Sequence, residues 1–264
     1  MKRMAQLPKA TLIILLMCTL MCLAVNCLPV GLNASEKAIL LGAYYKPMII
    51  AGEYWRLISC GLLHVSFYHL FVNMYSLMNL GTVSEKMFGV RRYLLILCVS
   101  VISGSLFLFA LAGNTVAVGL SGGLYGLMAA VLFEIIRRGG WKNQGVRNSM
   151  TNMILINLLI NFVPGIAWQA HIGGAFGGLM CAVVMKAENR SDRINALIGS
   201  VLLAGVLVFV CLQRAEIRRS ETYAATDARV LLAEESLGLK GHAVHMAEKL
   251  DALYDIEYLE EILK

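Results

Sequence analysis

The chain has 264 residues, 58% of them hydrophobic and 15% charged, with a mean hydropathy of +0.69, far too apolar for a water-soluble domain. Its net charge of +6 is not gathered into a basic patch interleaved with aromatics, so it gives no indication of nucleic acid and fits loops that obey the positive-inside bias. Seven cysteines fall mostly inside apolar runs without forming a C-x-x-C pair, which argues for membrane packing over a disulfide framework or zinc site; a bridge between Cys27 and Cys60 stays open.

Residues 1–9 carry Lys2, Arg3 and Lys9 and read as a cytoplasmic N-terminus. The uncharged run from about 10 to 30 is long enough to cross a bilayer. It exceeds an ordinary signal-peptide core and no small-x-small cleavage site follows, so it reads as an anchor. Residues 31–60 mix turn residues with Tyr44, Tyr45, Tyr54, Trp55 and Arg56, a composition suited to a loop resting partly in the headgroup layer. A second span is expected over 68–83, with His69 and Asn73, and a third over 93–111. The fourth begins at Ser121 and ends near Glu134, the fifth covers 150–162 up to Pro164-Gly165, the sixth covers 168–185 with His171, and the seventh covers 194–212.

Thirteen Lys and Arg residues fall on the N-terminal side of span one and in the loops after spans two, four and six, against only Lys37, Lys46 and Arg56 in the alternate loops. By the positive-inside rule the N-terminus is cytoplasmic, and the expected location is a bacterial plasma membrane. The seventh span then exports a tail that starts with Arg214, Arg218 and Arg219, against the rule's preference. From Ser220 the composition turns soluble, with Leu231, Leu250 and Tyr254 at helical spacing. His242 and His245 in this tail read either as solvated histidines or as a metal pair without a third ligand. The expected organisation is an all-α polytopic membrane protein: residues 1–9 cytoplasmic, a six-span core over 10–186, a linker and seventh span over 187–213, and a soluble helical tail over 214–264.

The stretch Gly119-Leu120-Ser121-Gly122-Gly123-Leu124-Tyr125-Gly126 sets a hydroxyl among glycines at the start of an apolar segment. By itself it reads as a small-residue helix contact, or as a nucleophile if a base lies within hydrogen-bond reach. Ionisable groups inside spans are costly and tend to be functional, and here they reduce to His69 and His171, with Glu85 and Glu134 near the cytoplasmic ends. No aspartate precedes Asp192, which excludes an intramembrane aspartyl dyad or a Ser-His-Asp triad in the first six spans. H-E-x-x-H is also absent, excluding the usual zinc protease. The spans place His69, Ser121 and His171 at shallow depth on one side, where water can reach. Asn152, Asn157 and Asn161 in span five read as interhelical hydrogen bonders or as groups that help wet the site.

Four elements in register, Gly52-Glu53-Tyr54-Trp55-Arg56, His69-x-x-x-Asn73, Gly119-x-Ser121-Gly and Ala170-His171-Ile172-Gly173-Gly174, resemble the rhomboid family of intramembrane serine proteases. The resemblance covers about residues 10–186 and leaves out the tail. It implies a six-helix core in which Ser121 is the nucleophile and His171 the base, without a third carboxylate, cofactor or metal. Tyr125 would pack on the imidazole, while His69 and Asn73 would stabilise an oxyanion. Gly122, Gly126, Gly173 and Gly177 would let spans four and six approach, Gly119 would support the serine within its motif, and Trp55 and Arg56 would build the first loop. The implied substrates are single-pass transmembrane proteins within the lipid bilayer, and the oligomeric state is not indicated. The alternative is an inactive relative that binds membrane clients. A small transporter would call for midplane charges or paired repeats, which the sequence lacks.

Overall fold

The computed structural model describes residues 7–186, 189–215, 217 and 221–263; Lys2, Arg3, linker residues 187–188, Arg218 and Arg219 lie outside them. Main-chain groups in lipid must be satisfied internally, so the apolar runs become helices. In chain order these are α1 (Lys9–Cys27), the short loop helices α2 (Ala34–Leu40), α3 (Lys46–Ile50) and α4 (Arg56–Ser59), then α5 (Phe67–Ser76). A π-helical stretch, Leu77–Gly81, joins α5 to α6 (Thr82–Phe88). There follow α7 (Val90–Leu111), α8 (Ser121–Arg137), α9 (Gln144–Ile160), α10 (Trp168–Lys186), α11 (Arg190–Gln213), α12 (Glu221–Ser236) and α13 (Lys240–Tyr254). A two-residue antiparallel ladder between β1 (Tyr44–Tyr45) and β2 (Val116–Ala117) interrupts an otherwise all-α fold. The helices α1, α7, α10 and α11 are long and apolar enough to cross a membrane, as is the α5–α6 segment when counted with the preceding bent helix.

The chain forms two compact units. The first holds residues up to 15, 73–112 and 121–211. Its centre is α10, packed on both α7 and α8. The seam between α8 and α10 is backbone against backbone: a Cβ on Gly174 would lie 2.0 Å from the Gly122 carbonyl oxygen, and one on Gly178 would lie 2.1 Å from that of Gly126. Gly173 and Gly177, expected to face span four, instead face α7, where a Cβ on Gly173 would meet Phe107 and the Ser103 carbonyl at 2.6–2.7 Å. Successive residues on a helix turn through about 100°, so adjacent glycines serve different neighbours. At the other end of α8, the Glu134 carboxylate is fully buried and accepts from Arg137 at 2.9 Å and Arg138 at 2.5 Å, with Lys186 at 3.4 Å. Glu85 accepts from the main-chain N–H groups of Ala10 and Thr11 at 3.2 and 2.8 Å and from the Thr11 hydroxyl at 2.7 Å. It thereby caps amides at the start of α1 that the helix cannot pair itself. By contrast α11 is buried over only 6% of its apolar window; its exposed Val, Leu and Phe side chains suit lipid contact.

The second unit holds residues 16–72, 113–120 and 212–264. The first loop and the tail share one core: Ile39, Tyr45 and Met48 from the loop pack with Val230, Leu231, Met246, Leu250 and Tyr254 from α12 and α13. Polar contacts join the same elements. Asn33 and Glu36 form a capping box at the start of α2, and the Glu36 carboxylate also accepts from Arg229 Nε at 2.7 Å. His242 is not a freely solvated histidine, since its ring stands between Glu234 at 2.9 Å and Glu53 at 3.2 Å, whereas His245 is exposed. Cys27 and Cys60 are both free thiols, the first exposed and the second buried.

Candidate active site

A helix brings a side chain to a site only if its neighbours allow close approach, and in the first unit the glycine seam does so at one end of α8 and α10. Ser121 is the first residue of α8, and His171 lies in the first turn of α10. His171 Nε2 stands 2.8 Å from Ser121 Oγ. The imidazole is buried, with 4% of its surface exposed. Tyr125, one turn after the serine, stacks on the ring with centroids 4.1 Å apart and planes 12° from parallel. A serine hydroxyl this close to an imidazole nitrogen has the geometry of a nucleophile beside its general base.

The other imidazole nitrogen also has a partner. His171 Nδ1 lies 2.6 Å from Oδ1 of Asn161, the C-cap residue of α9. The Asn161 amide nitrogen donates to the Tyr125 hydroxyl at 3.1 Å and to the Asn157 carbonyl at 2.8 Å. The Tyr125 hydroxyl in turn donates to the Asn157 carbonyl at 2.6 Å. The sequence marks Asn161 only as one of three amides in span five that bond between helices or help wet the site, without pairing it with His171. The available signal was its spacing: Asn157 and Asn161 are i and i+4 on one face of an apolar helix that stops at Pro164-Gly165.

Of the expected oxyanion donors, Asn73 is buried in this first unit with Ser121 and His171. His69 and Gly119 belong to the second unit. There Gly119 has φ +121° and donates its N–H to the Cys60 carbonyl at 2.9 Å. A Cβ at Gly119 would sit 2.6 Å from Cε1 of His69, so glycine is required both by the backbone and by the imidazole seated on it. His64 is fully buried and meets His69 edge-on at 5.0 Å.

Trp55 and Arg56 lie away from these groups in the sequence and build the first loop of the second unit. The Arg56 guanidinium, 1% exposed, donates to Glu53 at 2.5 Å, to the carbonyls of Ile39 and Ala43 at 2.5 and 3.2 Å, and to the Met48 sulfur at 2.9 Å. It also packs 4.8 Å from the half-exposed Trp55 ring. Among the described residues, no group of three or more His, Cys, Asp or Glu side chains is arranged to hold a metal ion.

Comparison with known proteins gives this arrangement its family. Residues 51–188, just over half the chain, match the model of the rhomboid domain. The chain belongs to the rhomboid family. It is 38% identical over 159 residues to RHOMBOID-like protein 5 of Arabidopsis thaliana, covering 59% of this chain and 52% of that protein. It is 31% identical over 179 residues to rhomboid protease GluP of Bacillus subtilis (strain 168), covering 67% of this chain and 35% of that protein. Inactive RHOMBOID-like protein 8 of Arabidopsis thaliana is 32% identical over 151 residues, covering 54% of this chain and 42% of that protein. The chain thus spans about half or less of the length of these relatives. Ser121, His171, Asn161, Tyr125, His69, Asn73, Trp55 and Arg56 all fall inside the matched domain, and α12 and α13 fall outside it.

Proposed function

We propose that this rhomboid-family protein is an intramembrane serine endopeptidase that cuts single-pass membrane proteins near the outer membrane face. The observation that carries the reading is the 2.8 Å contact between Ser121 Oγ and His171 Nε2. In the proposed reaction His171 Nε2 takes the hydroxyl proton as Ser121 Oγ bonds to the scissile carbonyl carbon. The imidazolium then gives that proton to the leaving amine as the C–N bond breaks. Water, deprotonated by the same nitrogen, releases the new carboxyl end and restores the serine. Donors from His69, Asn73 and the Ser121 N–H are proposed to hold the oxyanion. Tyr125 keeps the imidazole in plane, the glycines around it keep the helices close, and Trp55 and Arg56 hold the first loop.

The Lys and Arg distribution supports a bacterial plasma membrane with the N-terminus cytoplasmic and the site opening outward. On this reading residues 10–186 are the catalytic core, 187–213 add a linker and seventh span, and 214–264 form the tail. A second reading, an inactive client-binding protein, is prompted by the relative named inactive. Reconstituted protein separates the two. Ser121→Ala and His171→Ala should each abolish cleavage of a model transmembrane substrate, and Ser121 should be labelled by a fluorophosphonate probe. Absence of both labelling and cleavage in the unmodified chain supports client binding.

A further inference from the structure

We propose that Asn161 is a positioning residue for His171, so that the site works as a serine–histidine–asparagine arrangement and not as an unsupported dyad. The inference rests on the reading of Ser121 and His171 as nucleophile and base. It begins with the orientation of the Asn161 amide, whose two ends differ by one question: which of them can donate. One end faces the Asn157 carbonyl at 2.8 Å. A carbonyl only accepts, so that end is the NH₂ group. The other end, at 2.6 Å from His171 Nδ1, is therefore the carbonyl oxygen, and Nδ1 must carry the hydrogen. A neutral imidazole protonated at Nδ1 has its lone pair on Nε2, and Nε2 is the atom 2.8 Å from Ser121 Oγ. The amide selects the one tautomer able to accept the serine proton.

The same network orients the ring. Tyr125 covers its face while the Tyr125 hydroxyl binds Asn157 and Asn161. The amide, the phenol and the imidazole therefore fix one another across α8, α9 and α10. α9 has no buried residue along its length, so these bonds hold a helix that is otherwise lightly packed. Ser121 and Tyr125 from α8 and Asn161 from α9 face the imidazole. On the α7 side, Gly104 lies against Ala170, next to the histidine. None of these carries a charge at neutral pH. A carboxamide can set the tautomer without placing a charge in lipid, but it cannot stabilise the imidazolium as a carboxylate would.

That difference is the test. With the full chain in proteoliposomes, kcat, KM and the pH profile of cleavage of a transmembrane substrate are measured for the unmodified protein, Asn161→Leu, Asn161→Asp and Ser121→Ala. Asn161→Leu should lower kcat by about 10²-fold or more with KM little changed, since it leaves nucleophile and oxyanion donors in place and removes only tautomer control. Asn161→Asp keeps the acceptor and adds a charge that favours the imidazolium. It should retain turnover at alkaline pH while the acid limb of the profile moves to higher pH. A merely structural role for Asn161 would change folded yield and leave the kcat of the folded Asn161→Leu protein unchanged. If Asn161→Leu does not fold, Asn161→Ala is measured in its place. Unchanged kcat in Asn161→Leu, or an unmoved limb in Asn161→Asp, overturns the assignment. Failure of the underlying reading looks different: Ser121→Ala would then cleave like the unmodified chain.

Discussion

Ser121 opens α8, so its main-chain N–H is among the four that a helix leaves without an intrahelical partner. The positive end of the helix dipole lies there too, where negative charge would collect on a carbonyl oxygen under attack by Oγ. A buried side-chain donor strengthens such a site because little water competes with it. Asn73 meets that description, being 4% exposed in the same unit. Replacing it with alanine should therefore lower kcat on the order of 10²-fold with little change in KM, measured by steady-state cleavage in proteoliposomes. Turnover equal to the unmodified protein would remove Asn73 from the oxyanion site. The Ser-Gly and His-x-x-x-Asn patterns were readable at this scale because both lie within one helix. The Asn161 contact was not, since it depends on the rotation of α9 about its axis, which the six residues between Asn161 and the start of α10 do not fix.

Helix pairs in lipid gain nothing from hiding apolar surface from water, so they rely on close packing of small residues. The α8–α10 seam shows how exacting this is, because the atoms that a Cβ on Gly174 would strike are main-chain atoms of Gly122, at 2.0 and 2.6 Å. Backbone cannot rotate away as a side chain can. Gly174→Ala should destabilise the protein by about 1–3 kcal/mol and reduce turnover by separating Ser121 from His171. Gly199 on α11 has no atom within 4 Å of an added Cβ, and Gly199→Ala should be neutral or stabilise by up to about 1 kcal/mol. Thermal unfolding in one detergent compares the two, and equal effects would contradict the seam. A run of glycines in span six announced close packing, but the choice between α7 and α8 as the neighbour of each glycine depends on helix rotation.

At the scale of the whole molecule, the tail is the part furthest from the family pattern. Its core is shared with the first loop. The contact carries its own pH dependence. Asp227 is fully buried on α12, and burial pushes its carboxyl from 3.8 up to about 7, although the Tyr254 hydroxyl donating at 2.6 Å acts in the opposite direction. The raised folded value means that the folded form holds a proton the unfolded form has released. Stability from this group is therefore fully present below about 4 and is lost as pH rises through about 7. Amide protection factors in α12 and α13, with the intrinsic pH dependence of exchange divided out, should fall between those limits in the unmodified chain. In Asp227→Asn protection should be greater at pH 8 and flat across the window. An identical pH response in both proteins would place the cause elsewhere.

What the sequence determined by itself were the properties that local composition controls. Apolar runs must become helices because lipid offers no partner for the main chain, and the spacing within each helix set His69 with Asn73 and Ser121 with Tyr125. The order of the motifs carried the family. The tertiary structure decided everything that depends on how helices rotate and which soluble surfaces meet: that Gly174 and Gly178 line the α8 seam, that His64 is buried, that the tail shares a core with the first loop, and that Asn161 reaches the far side of His171. Those contacts join residues whose relative angle is set by packing across separate helices, and a single chain read in order contains no term for that angle.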